Sequence, residues 1–373
     1  MHLTLSLTHE CNLRCTYCYG GEKTSRKMSA GVMDRALDLA FGYIDPVVQV
    51  TPFGGEPLLE PDLIDAMAEG AKRRAGETGK SLRLGITTNG TLLKGRRLDI
   101  LEKHGFEVTV SLDGDRESHD SARVFPDGSG SFDAALEGLT RARERLGQVR
   151  TMTVVHPGNV DRMASSFDLI ASLGVNHIIF TLEYESGWDA AAMKRLESSL
   201  DALADRVADQ FRAENDVAVQ PFHGKIITQL KEGYCARDMC DFGCSEIAVA
   251  PSGSIYPCDR LIGEDGEAQR DVVIGHVDTG VDAWKVASLR EPKDRPKRDC
   301  EGCAILDRCM WWCGCVNRAL TGRVDGVSDL LCELEQIQVR AADRLASTLY
   351  VEGNQAFLRR YYLPAAGRQI TPR

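Results

Sequence analysis

Three cysteines, Cys11, Cys15 and Cys18, stand in the run CNLRCTYCY near the start of the chain. Their C-x3-C-x2-C spacing lets three thiolates converge from one loop on a common centre. The run has no fourth. A structural zinc site closes its tetrahedron with four Cys or His ligands. His9 is near, but a residue leading directly into Cys11 is badly placed to complete such a site. A four-iron cube held by three thiolates leaves one iron without a protein ligand. An open iron can take a substrate or cofactor directly.

A second array lies downstream, where ten of the thirteen cysteines fall between Cys235 and Cys332. Cys244 and Cys258 form C-x13-C. Cys300, Cys303, Cys309 and Cys313 form C-x2-C-x5-C-x3-C, and Cys332 follows after a gap. A zinc ribbon would need two C-x2-C pairs here, and this array has one. The opening MHLTLSLTHEC lacks a basic n-region and alternates like a strand, which points to the cytoplasm rather than export. In a reducing compartment, clustered cysteines signify metal or redox chemistry rather than disulfides.

Bulk composition narrows the partners. A net charge of −10 argues against a nucleic-acid duplex, and the basic runs KRR (72–74) and RPKR (295–298) read as solvated faces. No apolar run reaches the roughly 18 residues that span a bilayer. A hydrophobic content of 43% with 27% charged residues suits a globular enzyme.

The elements that must position the first cysteines alternate regularly. LTLSL (3–7), VVQVTPF (47–53), SLRLGITT (81–88), FEVTVSLDG (106–114), VRTMTVV (149–155) and VNHIIFTLE (175–183) read as strands. Between them lie amphipathic stretches such as AGVMDRALDLAFGYI, DLIDAMAEGAKRRAG and FDAALEGLTRARERLG, with apolar residues at helical spacing. Six β-α repeats predict an α/β fold with a parallel sheet, either doubly wound or a partial (β/α)6 barrel. Chemistry in both gathers at the carboxyl ends of the strands. CNLRCTYCY, GGEP (54–57), TNG (88–90) and SLDG (111–114) follow the first four strands, so four unusual loops share one rim.

With these residues in view, the sequence resembles the radical S-adenosylmethionine superfamily. The resemblance rests on the cysteine loop, with Tyr17 before its third cysteine, and on GGEP after the second strand. It covers about the first 230 residues and implies the partial (β/α)6 barrel. It also implies a [4Fe–4S] cluster on Cys11, Cys15 and Cys18 whose open iron is chelated by S-adenosylmethionine. Electron transfer would cleave the cofactor to a 5′-deoxyadenosyl radical that takes hydrogen from substrate. Gly54 and Gly55 would let the backbone approach the methionyl ammonium, with Glu56 as its charged partner. Ser111, Asn89 and Arg123 are further candidate contacts.

The downstream array resembles a SPASM domain, which implies two auxiliary [4Fe–4S] clusters and three in all. One would take Cys244, Cys258 and Cys313, with Cys240 or Cys235 as the fourth ligand. The other would take Cys300, Cys303, Cys309 and Cys332. EIAVAPSGSIYPC reads as a hairpin turning at SGS. By position, Asp259 matches an aspartate of sulfatase maturases that acts as a base. The competing reading is a carboxylate that caps the hairpin end or pairs with a cation such as Arg260. MWW (310–312) stands where small residues often occur, suggesting an aromatic wall beside the clusters.

The expected organisation is a barrel with a helical extension over 1–234, the auxiliary-cluster domain over 235–335, and a helix and tail over 336–373. The leading functional expectation is a radical enzyme that oxidises or cross-links a peptide or protein side chain, with a ferredoxin or flavodoxin as reductant. A formylglycine-generating sulfatase maturase and a radical dehydrogenase of a small alcohol or sugar are the alternatives. Because the sequence begins at the first barrel strand, no leader-recognition domain is expected before it.

Overall fold

A computed structural model describes residues 1–235, 238–295 and 300–362. The basic run expected at 295–298 lies outside these after Arg295, and so does the tail from residue 363 onward. The first part of the chain runs β1 (His2–Thr8), α1 (Ala30–Gly42), β2 (Val47–Gly54), α2 (Pro61–Thr78), β3 (Ser81–Thr88), α3 (Arg96–His104) and β4 (Glu107–Ser111). Next come the short α4 (Arg116–Asp120), α5 (Phe132–Leu146), β5 (Val149–Val155), α6 (Met163–Ser172) and β6 (His177–Leu182). The expected strands and helices are therefore present, although the fourth strand stops at Ser111 rather than reaching residue 114.

The remainder runs α7 (Ala190–Arg212), β7 (Ala218–Gln220), α8 (Phe222–Leu230), β8 (Glu246–Val249), β9 (Ser254–Tyr256), β10 (Gly275–His276) and β11 (Gly280–Val281). Helices α9 (Ala283–Lys293), α10 (Gly314–Thr321), α11 (Asp329–Val351) and α12 (Gln355–Tyr361) follow. These elements form two compact units, each drawn from separate stretches of chain. The first holds Met1–Leu112, His119–Val149 and Asp241–Pro292; the second holds Asp113–Ser118, Arg150–Cys240 and Lys293–Arg373.

In the first unit the strand order is β11-β10-β9-β8-β1-β2-β3-β4. Pairing from β1 through β4 is parallel. All of β1 except His2 is buried, which is the pattern of a parallel strand covered on both faces. Ser29 starts α1 by accepting from the Val32 N–H, a cap worth about 1 kcal/mol. The β8–β9 hairpin, read from sequence as part of the cysteine-rich region, here extends this sheet. Strand β8 pairs in parallel with β1, from His2↔Glu246 to Leu5↔Val249. Its apolar residues cover what would otherwise be a bare strand edge beside the cysteine loop.

The second unit contains the parallel order β5-β6-β7. Helices α7 and α11 are linked by ion pairs at 2.8 Å from Arg344 to Asp201 and from Arg340 to Glu197. Ser328 caps α11 by accepting from Leu331 N–H, and Cys332 therefore sits in the first turn of a well-started helix. The boundary expected at 335 falls within α11, which continues to Val351. Among the described residues no helix is long and apolar enough to cross a membrane.

Candidate functional site

The cysteine loop leaves β1 at Thr8 and is tied down by backbone pairing. His9 N donates to Arg26 O, and Met28 N donates to Leu7 O, so both ends of the loop meet. Gly55 N donates to Thr8 O at 2.8 Å and Glu56 N to Glu10 O at 2.9 Å. This contact explains the glycine pair. A Cβ on Gly54 would stand 2.3 Å from Thr8 O, and one on Gly55 would stand 2.1 Å from Glu10 O. Gly54 also adopts φ +129°, where side chains other than glycine's are strained. Besides the cofactor contact expected of them from sequence, these glycines let two backbones press together.

Glu56 is almost wholly buried at 1% exposure. Its carboxylate accepts from Thr88 Oγ1 at 2.7 Å, Asn89 N at 2.8 Å and Leu58 N at 3.0 Å. Burial raises its pKa, while these donors and the Arg123 charge pull it down. Three of about four lone-pair positions are occupied, so the residue chiefly joins the end of β2 to the end of β3. Asn89 carries that link onward. Its Nδ2 donates to Asn12 Oδ1 at 2.8 Å, and Asn12 Nδ2 donates to Thr91 Oγ1 at 2.8 Å. Asn12 and Thr91 were missed from sequence. The available signal was an amide beside Cys11 matched by TNGT at the third strand end.

Each thiol has a donor or cation nearby. Leu13 N donates to Cys11 Sγ at 3.4 Å, Lys23 Nζ lies 3.0 Å from Cys18 Sγ, and an Arg123 guanidinium nitrogen lies 4.0 Å from Cys15 Sγ. Burial pushes the Cys11 thiol up to about 11 despite the Leu13 N–H. Arg123 also stands over the Tyr17 ring at 5.3 Å, a cation–π geometry. Its segment is clamped to the loop, because Arg14 N donates to Val124 O and Thr16 N to Ala122 O. Ser111 is buried at the end of β4.

These surroundings suit three thiolates. Among the described residues, the one group of three ligand atoms within 4.8 Å of each other is Asp65, Glu69 and His104. Lys103 Nζ already sits 2.9 Å from both of those carboxylates. Three thiols on one loop, each with an N–H donor or a cation at its sulfur, form a donor set that suits a thiolate-held cluster.

Asp259 is held from the cysteine loop. Tyr19 donates its hydroxyl to Asp259 Oδ2 at 3.1 Å, stacks on Phe53 with centroids 6.4 Å apart, and lies under Arg260 at 4.8 Å. Desolvation, then the Asp259 charge, raise the Tyr19 pKa, although the residue keeps 38% of its surface exposed. A cleft lined by His9, Tyr19, Lys23, Gly54, Gly55 and Asp259 thus gathers residues from the loop after β1, the end of β2 and the turn after β9. His9 is buried and its Nε2 has no hydrogen-bond partner. Tyr19 was absent from the sequence candidates because its role depends on a contact 240 residues away.

The family model of the radical SAM superfamily matches residues 5–170. The chain carries a radical SAM domain. The whole chain is also similar to longer-range relatives of that type. It is 26% identical over 377 residues to the PqqA peptide cyclase of Gluconobacter oxydans (strain 621H), covering 97% of this chain and 98% of that protein. It is 25% identical over 348 residues to a serine-type anaerobic sulfatase-maturating enzyme of Klebsiella aerogenes, covering 87% of this chain and 83% of that one. In fold it is similar to native anSMEcpe with bound AdoMet and Cp18Cys peptide. That likeness has a TM-score of 0.78 at 18% identity and covers 94% of this chain and 99% of that one. The α/β fold with a partial barrel-like parallel sheet agrees with the sequence expectation.

Beyond the radical SAM domain, the downstream cysteines are divided between the two units. Cys244 and Cys258 belong to the first, and Cys235, Cys240 and Cys313 to the second. Arg290 donates to Cys244 Sγ and pairs with Asp241 at 3.1 Å. Cys313 Sγ lies 3.4 Å from Cys315 Sγ, a cysteine the sequence reading left spare. Cys300, Cys303, Cys309 and Cys332 all fall in the second unit. Burial pushes the Cys309 thiol up to about 12, with the charges of Glu335 and Cys332 adding to it. Burial also raises the Cys332 thiol, followed by the charges of Cys300, Asp329 and Cys303. Those four thiols therefore share one neighbourhood. In the expected aromatic segment, Trp312 meets the Tyr234 ring edge-on at 5.3 Å.

Proposed function

We propose that this chain is a radical SAM enzyme that modifies a side chain of a peptide or protein. The carrying observation is the three-thiol loop, in which every sulfur has a donor or cation and the loop itself is bonded to GGE and Asn89. The substrate class is supported by relatives that match nearly the full chain and are named for peptide or sulfatase maturation.

Bound on Cys11, Cys15 and Cys18, a four-iron cluster with S-adenosylmethionine would supply reductive cleavage of that cofactor and hydrogen abstraction from substrate. The chain's own residues prepare for this. Lys23, Arg123 and the Leu13 N–H offset thiolate charge, and the Asn12–Asn89–Thr91 network fixes the loop. Gly54, Gly55, Ser111 and Arg123 would hold the cofactor, with Glu56 bracing the strand ends behind them. Asp259 accepts the proton that substrate loses on oxidation, and Tyr19 keeps its carboxylate in place.

Two further clusters complete the count of three. One uses Cys244, Cys258 and Cys313 with Cys240 or Cys235; the other uses Cys300, Cys303, Cys309 and Cys332. A cytoplasmic ferredoxin or flavodoxin supplies the electron. Anaerobic purification should give about 12 irons per chain, and dithionite with S-adenosylmethionine should yield 5′-deoxyadenosine. Zinc in place of iron, or no 5′-deoxyadenosine under strong reduction, rejects the proposal. A sulfatase-maturase activity is the second reading, favoured by Asp259 directly after Cys258 and by the anSMEcpe fold. Incubation with a sulfatase peptide bearing the target serine or cysteine, read as formylglycine by mass, separates the two.

A further inference from the structure

The second unit contains a buried ion pair whose placement is not explained by packing. Lys225 on α8 is 4% exposed and Glu335 on α11 is 0% exposed. Lys225 Nζ lies 2.7 Å from Glu335 Oε2. Removing two charges from water is costly, and well-packed apolar residues commonly replace such pairs without loss of stability. Stability is thus a poor reason for this pair to exist.

Its other bonds give a better one. Lys225 Nζ donates to Arg308 O at 2.8 Å, and Glu335 Oε2 accepts from Met310 N at 2.8 Å. Arg308 and Met310 are the residues on either side of Cys309. The two charged groups therefore grip the peptide groups immediately before and after that cysteine. Arg308 returns the contact by donating to Lys225 O at 3.0 Å, and its guanidinium also reaches Asp343 on α11 at 2.7 Å. Glu335 stands three residues after Cys332 on the same helix, about one turn away. A single carboxylate consequently links the Cys309 backbone to the helix that presents Cys332. Its remaining oxygen is approached by Gln338 Nε2 at 3.4 Å.

We propose that Lys225 and Glu335 are positioning residues of the four-cysteine site, fixing Cys309 relative to Cys332 so that an iron–sulfur cluster can load there. This rests on reading Cys300, Cys303, Cys309 and Cys332 as one cluster site. The grip works through hydrogen bonds to backbone, for which the charges are a means. A neutral pair that keeps both bonds should serve, and an apolar pair should not.

Three variants of the full chain test this after anaerobic reconstitution, by iron and sulfide content and by electron paramagnetic resonance. Cys332→Ala defines the signal of the four-cysteine site and should lower iron from about 12 to about 8 per chain. The double variant Lys225→Met/Glu335→Leu leaves no unpaired charge; it should lose the same four irons and the same signal, yet retain S-adenosylmethionine cleavage. Lys225→Gln/Glu335→Gln keeps an acceptor for Met310 N and an N–H donor facing Arg308 O, one atom shorter than lysine, and should hold more iron than the Met/Leu variant. Full iron in the Met/Leu variant overturns the proposal, as does a Gln/Gln variant that holds no more iron than the Met/Leu one. So does a Met/Leu variant that loses the Cys11, Cys15 and Cys18 iron as well, since the pair would then be a general support of the fold. Wild-type protein with only about four irons instead removes the cluster reading on which the inference stands.

Discussion

The N-terminal cysteine loop and the four-cysteine region of the second unit surround their thiols with different partners, side-chain cations at the sulfurs in the first and a grip on the backbone around Cys309 in the second. Cys18 is exposed, Cys11 and Cys15 are half-buried, and their neighbours include the mobile-length side chain of Lys23 and the guanidinium of Arg123. Of the four downstream cysteines Cys309 is buried, Cys300 and Cys332 are half-buried and Cys303 is exposed, and what sets Cys309 apart is the buried ion pair that grips its flanking peptide groups. The difference teaches how each is held. The sulfurs of the loop are met directly by Lys23 and Arg123, whereas Cys309 is fixed through the peptide groups on either side of it.

The largest effect that would break this comparison comes from the loop itself. Cys15→Ala should abolish 5′-deoxyadenosine formation and remove about four irons, whereas Cys332→Ala should remove the same number and leave cleavage in place. Equal loss of cleavage in both variants would erase the distinction between the regions. Gly55→Ala should come next, because its Cβ would meet Glu10 O at 2.1 Å and a backbone contact cannot yield cheaply. We expect at least a ~10-fold loss of S-adenosylmethionine affinity, measured by equilibrium binding to the reconstituted protein. Unchanged affinity would show that the glycine contact is not what shapes the site.

Asp259→Asn separates cleavage from product. Product formation should fall by ~100-fold or more while 5′-deoxyadenosine continues to accumulate, as expected when a proton acceptor is removed. Wild-type turnover by that variant removes Asp259 from the mechanism. Tyr19→Phe keeps the stack on Phe53 and removes only the hydroxyl donor to Asp259. A smaller drop, about 3- to 10-fold in the ratio of product to cleavage, is consistent with the net worth of about 0.5–1.5 kcal/mol of one solvent-accessible hydrogen bond.

The weakest effect concerns pH. Folding raises the Cys11 and Cys309 thiols from 9.0 to about 11 and about 12, so the folded apoprotein holds those protons more tightly than the unfolded chain. Their contribution to apoprotein stability is complete below pH 9.0 and is lost as pH rises through about 11 and 12. Denaturant midpoints of metal-free protein should decline above pH 9, and loading the clusters should remove most of that slope because bound thiolates carry no proton. A flat apoprotein profile over that range would contradict the buried setting of these thiols.

Much of the barrel was legible because its signals are local. Strand alternation, helical spacing and the cysteine intervals each lie within a few residues, so β1 to β6 and the CNLRCTYCY loop could be read directly. The GGE glycines were also legible as special, and the structure adds a second reason for them. Only the approach of two backbones shows why Gly54 and Gly55 admit no side chain. The bonds that Glu56 accepts from Leu58, Thr88 and Asn89 were likewise not legible, since they join the ends of two strands.

Sequence alone determined that this protein gathers thiolates at two places and that the first gathering follows a parallel strand. Those facts are carried by residue type and short spacing. Tertiary structure decided which distant groups serve each thiol: Arg123 beside Cys15, Tyr19 on Asp259, β8 along β1, and the Lys225–Glu335 grip around Cys309. No local pattern encodes such pairs. They arise when folding removes buried charges and peptide groups from water and each must find its partner wherever the chain has brought one.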